Sequence, residues 1–290
     1  MQTANEHLFT ETLSSESNEL FTMTEEQRFH FDLKGWVCIP NVLDEDFCRE
    51  CSEYLQMSRQ EPEKLDEISR VRPSLTGPLG ELLDHPVLVG ILNEIIGPPI
   101  EPLEGQEHSG YGFRCESSFS VVRTFNKGKW EPHCGNSGSN PHQYTCLNGR
   151  IYSGQTRAAW EFNPVEPGDG GTHFMSGTHK MNFEIPEEYK KESSGMFETY
   201  SCPGGSLVIF CERVMHTGYP WQNEDRPRIG VFNCYNHAEA QVHRLAVPYE
   251  LVMRMPEKRR ALFRGVWRWW NRHGGHLENN TTYDEVNRAI

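Results

Sequence analysis

The spacing of hydrophobic residues changes twice along the chain, and these changes divide it into three parts. In the first part, a short periodic run at 25–31 predicts a helix, and 35–40 predicts a strand that ends at a proline. Acidic residues at 44–46 predict the first turn of a second helix, because negative side chains are favoured at a helix N-terminus. Leucine and isoleucine crowd one side of 78–96, which predicts a further helix ending before the Gly-Pro-Pro at 97–99.

The second part, from about 110 to 243, consists of short β-type runs separated by Gly, Pro, Asn and Asp. The runs lie at 119–125, 156–162, 171–175, 206–210 and 228–235. Many short strands with turn signals between them, and no helical periodicity, are typical of a sandwich, jelly roll or barrel. The predicted fold class is therefore mainly β with flanking α-helices.

In the third part, a helix is predicted at about 256–272, where tryptophans repeat at helical spacing among arginines. Such a helix binds an anionic membrane or an acidic partner, or it packs its tryptophans on the β core and extends its arginines into water. We favour the second interpretation. Residues 1–24 are polar with little periodicity, and we expect a mobile leader there. Since no linker divides the rest, residues 25–290 are predicted to form a single domain with its β core at about 110–243.

Composition and charge exclude several classes of function. The chain has 290 residues, of which 36% are hydrophobic and 24% charged, and its formal net charge is -13. This content suffices to bury a core, and the acidic balance argues against a nucleic-acid partner, since binding phosphates needs a basic face. No run is long and apolar enough to predict a membrane span, and residues 1–26 lack the apolar region of a signal peptide.

The nine cysteines show no regular pattern, and their odd number does not indicate a disulfide framework. Cys48 and Cys51 form a CxxC, but no second CxxC completes a zinc site, so both are predicted to be buried apolar residues on a helix face. A reducing, cytoplasmic location is the expectation that follows.

Two histidines have a spacing that suits a metal centre. Jelly-roll oxygenases hold a first-row metal with His-x-Asp or His-x-Glu at one strand end and a distant second His. His133 and His216, about 80 residues apart, fit the histidine part of this form. His216 follows a Gly-Gly turn and an apolar strand at 204–210, and Arg228 opens the next strand. Arginine offers a planar fork of donors that suits the carboxylate of a keto acid.

Other histidines are weaker candidates. His142 is an alternative to His133 as a ligand, but the Gly-, Ser- and Asn-rich segment 135–140 before it is typical of a loop rather than of a strand end. His173 and His179 are expected to be structural or pocket-lining.

Four features together resemble the phytanoyl-CoA dioxygenase family, and the resemblance covers roughly residues 25–240. The first two are the segments 35–55 and 170–180. The third is the strand at 205–210 together with His216, and the fourth is Arg228. That family consists of Fe(II)- and 2-oxoglutarate-dependent oxygenases on a double-stranded β-helix, which is a cupin-like jelly roll. The resemblance therefore implies this fold, with N-terminal and C-terminal helices, both cofactors, and O2 as a cosubstrate.

The resemblance also implies roles for individual residues. His133 and His216 would be the two histidine ligands of the iron. Arg228 would bind the distal carboxylate of 2-oxoglutarate, with Arg226 as the second candidate for that role. Trp160 matches an aromatic residue that lines the cosubstrate pocket.

The sequence departs from the family pattern at Gly135, where the family has its acidic metal ligand. Related halogenases carry Gly or Ala at this position, and chloride binds the iron in place of the carboxylate. Gly135 is therefore a chloride site, or it belongs to a site that hydroxylates with water or an acid from elsewhere in the chain. Glu131 and Glu161 are the acids to consider. A misassigned ligand or an inactive relative is a third interpretation.

The predicted function is oxidation of an aliphatic C–H bond in a small organic substrate by an Fe(II)/2-oxoglutarate-dependent enzyme. The reaction is a hydroxylation or, with chloride at Gly135, a halogenation. The competing hypothesis is a non-catalytic jelly-roll binding protein that retains the scaffold. The missing acid favours that hypothesis, whereas the two histidines and the arginine argue against it. No pattern in the sequence indicates the identity of the substrate or the oligomeric state.

Overall fold

A computed structural model describes residues 21–99, 110–135, 144–243 and 247–263. Its α-helices are α1 (Glu25–Lys34), α2 (Glu45–Gln60), α3 (Glu67–Val71), α4 (Pro86–Ile95), α5 (Tyr249–Arg254) and α6 (Glu257–Arg260). Its strands are β1 (Trp36–Ile39), β2 (Phe113–Arg123), β3 (Thr145–Leu147), β4 (Arg150–Tyr152), β5 (Thr156–Glu161), β6 (Gly171–Met175), β7 (Glu198–Thr199), β8 (Ser206–Cys211), β9 (Met215–Tyr219) and β10 (Arg228–His237). The structure is thus a sheet-rich fold with helices before and after the strands.

The larger sheet contains five antiparallel strands in the order β1-β8-β5-β10-β2. Strands β8 and β5 are buried along their whole length, so their side chains alternate between two covered faces. On β8, Leu207 and Ile209 pack with the helices, whereas Val208 and Phe210 pack toward the smaller sheet. The larger sheet therefore separates a helical layer from a second β layer.

The smaller sheet has three antiparallel strands in the order β7-β6-β9. Strand β9 was not among the predicted runs, because its sequence Met-His-Thr-Gly-Tyr lacks a β-branched apolar pattern. It carries His216, which the sequence had suggested to lie beyond a strand end. His133 pairs with His216 through backbone hydrogen bonds in both directions, at 2.9 and 2.8 Å. A separate hairpin is formed by β3 and β4.

The first two helices form as the sequence predicts, and each begins at a capping residue. Thr24 and Gln27 form a capping box at the start of α1, and Gly35 ends that helix with a φ of 85°, a conformation that glycine adopts without strain. Asp44 caps α2 by accepting a hydrogen bond from the Phe47 amide. The helix predicted at 25–31 and the helix predicted to begin at 44–46 are therefore both present.

Cys48 and Cys51 lie on the buried side of α2 as free thiols, as predicted. Burial raises the pKa of the Cys48 thiol to about 11, which keeps it protonated at neutral pH. Both residues therefore pack as small apolar side chains.

The helix predicted at 78–96 is two segments. A 3-10 helix covers Gly77–Asp84, and α4 begins at Pro86. Proline lacks an N–H donor and disfavours the helical conformation in the residue before it, so the chain turns at His85.

Other boundaries differ from the prediction in the β core and near its C-terminal end. Strand β2 begins at Phe113, well before the predicted 119. The prediction began too late because Arg114 and Glu116 are charged, and their burial in the structure is not visible in the sequence. The predicted helix at 256–272 is described only in its first turns, as α6 and a 3-10 turn. Its tryptophans lie outside the described residues, as do residues 1–20 of the leader predicted at 1–24. Within the described ranges, no helix is long and apolar enough to cross a membrane.

Candidate metal centre

The structure brings His133 and His216 together at one end of the smaller sheet. Their ring centroids are 4.4 Å apart, and the ring planes are tilted by 58°. His216 is buried, whereas His133 is exposed. The ring of His216 also packs against Phe210 of the larger sheet, at a centroid distance of 4.8 Å. The pair therefore lies at a position between the two sheets that is open on the side of His133.

Both imidazoles are oriented by backbone carbonyls. Nδ1 of His133 donates to the carbonyl oxygen of Glu131 at 2.8 Å, and Nδ1 of His216 donates to that of Val214 at 2.8 Å. A carbonyl only accepts, so the proton of each neutral ring is on Nδ1 and the lone pair is on Nε2. Metal-binding histidines are held in this way. Burial lowers the pKa of His216 to about 4, so its ring is neutral at neutral pH, as metal ligation requires.

Gly135 lies against the side chain of Glu212. Glu212 belongs to the turn between β8 and β9. The Gly135 amide donates to the Glu212 carbonyl oxygen at 2.6 Å. A Cβ atom on Gly135 would lie 2.8 Å from Cβ of Glu212 and 3.2 Å from its Oε2. The space that a side chain at position 135 would need is therefore already filled by Glu212.

The Glu212 carboxylate is 5% exposed and has two different neighbours. Its Oε1 accepts a hydrogen bond from Nε of Arg157, and its Oε2 lies 3.9 Å from Nε2 of His216. Burial is the largest single influence on the pKa of Glu212 and raises it, but the charge and hydrogen bond of Arg157 together with the nearby histidines outweigh burial, so the pKa is lowered. The sequence analysis did not identify Glu212. The feature that could have indicated it is an acid four residues before His216, in the turn that leads into β9.

Arg228 is almost completely buried and is paired with Glu161. Its Nε lies 3.1 Å from Oε2 of Glu161, and its Nη2 binds Oε1 of the same carboxylate. The same Nη2 also donates to the hydroxyls of Tyr200 and Thr172, at 2.9 and 3.1 Å. The donor fork that was expected to bind a keto acid is therefore occupied by a carboxylate of the chain itself, and Glu161 is likewise not free to bind a metal.

The other residues predicted for the cosubstrate lie elsewhere. Trp160 is fully buried on the helical side of the larger sheet, at a ring-centroid distance of 5.4 Å from His85. It faces away from the histidines, because neighbouring residues on a strand point to opposite faces. Arg226 is in a surface turn, where Nη2 lies 3.2 Å from both Glu166 and Asp169. Trp160 and Arg226 therefore do not lie beside the two histidines, and their roles in binding the cosubstrate stay predictions.

The side chains of the remaining candidate residues have other neighbours. Glu131 has a side chain that is 71% exposed and lies 3.6 Å from Lys129. His179 packs edge-on against Tyr144, and burial lowers its pKa to about 4. His173 is near Trp130, at a ring-centroid distance of 5.8 Å. His142 lies outside the described residues.

Arg123, which the sequence analysis did not single out, is a further cation beside the site. It ends β2 directly opposite Arg228 in the strand pairing. Its Nη1 is buried and has no hydrogen-bond partner among the described residues. Gly218 of β9 makes room for it, since a Cβ there would lie 2.7 Å from that Nη1. Arg123, Gly218 and His133 line one cleft, together with Lys127.

A second cluster of potential ligands is formed by Glu116, Cys234 and His243, whose ligand atoms lie within 4.8 Å of one another. The Glu116 carboxylate already accepts hydrogen bonds from the side chains of Gln155 and Asn236 and from the amide of Val242. Burial also raises the pKa of the Cys234 thiol, so that the thiolate a metal needs is disfavoured. This cluster is best explained as a hydrogen-bond network.

The sequence matches no protein-family model and no curated protein sequence. Solved structures do share the fold. HygX from Streptomyces hygroscopicus, with nickel and 2-oxoglutarate bound, superposes with a TM-score of 0.58 at 17% identity, over 79% of this chain and 94% of HygX. The non-heme alpha ketoglutarate dependent epimerase SnoN from nogalamycin biosynthesis gives 0.53 at 16%, over 78% and 85%. The ThoJ-Ni complex, a non-heme monooxygenase, gives 0.51 at 13%, over 72% and 76%.

These comparisons assign the fold. The chain has the architecture of HygX, SnoN and ThoJ, at a sequence identity that does not extend to their substrates. Membership of the phytanoyl-CoA dioxygenase family stays a prediction.

Proposed function

We propose that the chain is an Fe(II)- and 2-oxoglutarate-dependent oxygenase of the phytanoyl-CoA dioxygenase type, on a double-stranded β-helix made of the two sheets. The observation that carries the proposal is the arrangement of His133 and His216, whose rings are 4.4 Å apart with each Nδ1 on a backbone carbonyl. The fold shared with HygX, SnoN and ThoJ supports it, since structures of those proteins hold iron or nickel, and those of HygX and SnoN also hold the keto acid.

The donor set fits a first-row metal ion. Neutral imidazole suits Fe(II), and both Nε2 lone pairs are available because both Nδ1 atoms carry the proton. Fe(II) together with 2-oxoglutarate supplies the activation of O2. His133 and His216 hold and orient the ion, and the burial of His216 excludes water from one side of it.

2-Oxoglutarate needs a cation for the carboxylate that is remote from the metal. Arg228 was the first candidate, but its donors are bound to Glu161. Arg123 has a buried Nη1 without a partner among the described residues, and it lines the same cleft as His133. We therefore assign the remote carboxylate to Arg123, with the pair of Arg228 and Glu161 as the rigid support behind it. Charge-assisted hydrogen bonds of this kind are the strong ones.

The proposed reaction is oxidation of an aliphatic C–H bond in a small organic molecule. In the hydroxylation, one oxygen atom of O2 enters the substrate as a hydroxyl group and the other enters succinate, with release of carbon dioxide from 2-oxoglutarate. Halogenation is the second candidate, because Gly135 carries no acid at the family's ligand position. The carboxylate of Glu212, which fills the space beside Gly135, favours hydroxylation.

Mass spectrometry tests the proposed function. The protein, loaded with Fe(II) under exclusion of O2, is given 2-oxoglutarate and then O2, and succinate is quantified with and without a library of small metabolites. We expect slow succinate formation alone and faster formation with a substrate, whose product gains one oxygen atom. His216→Ala should abolish both. Succinate formation at the rate of free iron, unchanged in His216→Ala, would refute the proposal.

A further inference from the structure

The cleft beside His133 carries positive charge, although the chain as a whole is acidic. Its lining includes three cations, Arg123, Lys127 and Lys129. Glu131 is the one acid among the lining residues that the structure describes. The whole chain, in contrast, has 41 acidic and 28 basic residues. A cleft in which one sign of charge dominates concentrates ligands of the opposite sign, so this cleft favours an anionic ligand.

Two of the three cations are not neutralised by an acid. Lys129 lies 3.6 Å from Glu131, and both side chains of this pair are largely exposed. Arg123 and Lys127 form no ion pair with an acidic side chain within the described ranges. The proposed function gives Arg123 the remote carboxylate of 2-oxoglutarate. Lys127 therefore remains as a cation of the cleft whose anion has yet to be assigned.

Lys127 belongs to a turn whose backbone is fixed to the core. The Asn126 amide donates to the carbonyl oxygen of Trp221 at 2.8 Å, and the Trp221 amide donates to that of Lys127 at 3.0 Å. Asn126 has a φ of 59°, a left-handed conformation that asparagine tolerates. Trp221 is fully buried, whereas Lys127 is exposed. The fold thus holds the backbone of Lys127 in place and leaves its side chain accessible in the cleft.

The same turn packs closely on β9, the strand that carries His216. A Cβ on Gly128 would lie 2.9 Å from the carbonyl oxygen of Tyr219, so the turn approaches the strand at a distance that only glycine allows. The cleft has a volume of about 470 Å³, which is in the range of sites that bury a drug-sized molecule. It therefore has room for a second small molecule beside 2-oxoglutarate.

We propose that the substrate carries an anionic group, a carboxylate, phosphate or sulfate, and that Lys127 binds this group. The proposal rests on the proposed function and adds the class of substrate to it. Arg123 then takes the remote carboxylate of the keto acid and Lys127 the anion of the substrate, so that each of these two cations has one anion. Lysine is a compact charge on a flexible stem, and it accepts any of the three anions without the fixed geometry of arginine.

Labelling with pyridoxal phosphate tests the anion site without turnover and without a known substrate. The aldehyde condenses with a lysine amine to an imine with loss of water, and borohydride reduces the imine to a stable secondary amine that peptide mass spectrometry locates. We expect the whole, metal-free chain to be labelled at Lys127 at least about fivefold faster than at Lys64, because the phosphate is concentrated in the cleft. Lys64 is an exposed lysine after α2 and outside the cleft lining.

Pyridoxal, which lacks the phosphate, is the matched control compound and should label Lys127 and Lys64 at rates within about twofold of each other. Equal labelling of the two lysines by pyridoxal phosphate would overturn the proposal. So would an equal preference for Lys127 with both compounds, because that preference would not depend on the anion.

The screen for succinate formation tests the substrate class. Molecules that accelerate it should be carboxylates, phosphates or sulfates, whereas their methyl esters or the corresponding free alcohols should not. For the most effective anion, Lys127→Gln should raise KM by about tenfold or more with kcat changed by less than about twofold, because a charge-assisted hydrogen bond is lost. Lys127→Arg should retain most of the wild-type affinity. Lys64→Gln, which also removes one exposed positive charge, should match the wild type.

The outcomes separate this inference from the proposed function. If the wild type forms the chelate of Fe(II) with 2-oxoglutarate but Lys127→Gln leaves the KM unchanged, or if neutral molecules accelerate succinate formation as well as anions do, the inference is wrong and the oxygenase proposal stands. If Lys127→Gln weakens binding of 2-oxoglutarate with Ni(II) as much as it raises the KM, Lys127 serves the cosubstrate and the inference is again wrong. A wild type without the chelate would refute the proposed function, and this inference with it.

Discussion

Arg228 and Glu161 form a buried ion pair in which Nε of Arg228 lies 3.1 Å from Oε2 of Glu161. The pair joins neighbouring strands of the larger sheet, since Gly230 of β10 is opposite Glu161 of β5. Two buried charges that satisfy each other in this way are costly to separate. The role of Arg228 is therefore first to neutralise Glu161.

Removing one partner of this pair should destabilise the fold strongly. Arg228→Met leaves the Glu161 carboxylate buried without its cation, and we expect the free energy of unfolding to fall by about 3–5 kcal/mol. Arg228→Met/Glu161→Leu removes both charges and should recover most of that loss. Urea denaturation measures both. A loss below about 1 kcal/mol in the single variant would mean that Arg228 is not needed by Glu161 and is available to a ligand.

Arg123 should behave in the opposite way. Its Nη1 makes no hydrogen bond in the described part of the structure, so Arg123→Gln should leave the melting temperature nearly unchanged. The variant should bind 2-oxoglutarate roughly 10- to 150-fold more weakly in the presence of Ni(II), because a charge-assisted hydrogen bond is lost. Lys129→Gln, which removes an exposed charge from the same cleft, is the matched control and should change the affinity by less than about threefold. Equal effects of the two variants would show that only the general charge of the cleft matters.

Chloride should have no effect on the wild-type site. With the Glu212 carboxylate beside Gly135, the affinity for 2-oxoglutarate with Fe(II) should be the same in sodium chloride and sodium gluconate of equal ionic strength. In Glu212→Ala the carboxylate is gone, and chloride should then tighten binding of the keto acid. Chloride dependence in the wild type, together with a chlorinated product, would instead support the halogenase interpretation of Gly135.

Stability should fall in mild acid through buried histidines such as His179. Its Nε2 is hydrogen-bonded to the Asp32 carbonyl oxygen at 3.0 Å, and burial lowers its pKa to about 4 from an ordinary 6.5. The unfolded chain therefore takes up a proton between pH 6.5 and 4 that the folded chain refuses, so stability is complete above about pH 6.5 and decreases as the pH falls toward 4. Urea midpoints at pH 7.5 and 5 should differ less in His179→Gln than in the wild type. An identical difference in both would exclude His179 as a contributor.

The sequence predicted those features that depend on local chemistry. The helices at 25–31 and from 44–46 and the strand after the Gly-Gly turn at 204–205 were predicted from local signals, and the structure has them. His133 and His216 were paired by spacing and by resemblance, and the structure brings their rings together. The mainly β architecture followed from the turn-separated runs.

The features that the sequence did not predict depend on which face a side chain takes and on contacts across the fold. Strand β5 is buried on both faces, so no alternation of polar and apolar residues shows that Trp160 faces the helices. Arg228 and Glu161 are far apart in sequence and meet only through the pairing of β10 with β5. Glu212 is in a turn, and its relation to Gly135 arises only when the turn folds against the segment after His133.

The central claim is that His133 and His216 hold a metal ion that binds 2-oxoglutarate, and an anaerobic titration with Fe(II) and the keto acid tests it most directly. The chelate of Fe(II) with 2-oxoglutarate has a visible charge-transfer band. We predict that this band appears with one equivalent of Fe(II) in the wild type and in His30→Asn, a control that removes a histidine of α1 while keeping a donor for the Trp36 carbonyl. The band should be absent in His133→Ala and in His216→Ala. A wild type without the band, or a band of equal strength in either of those two variants, would contradict the account.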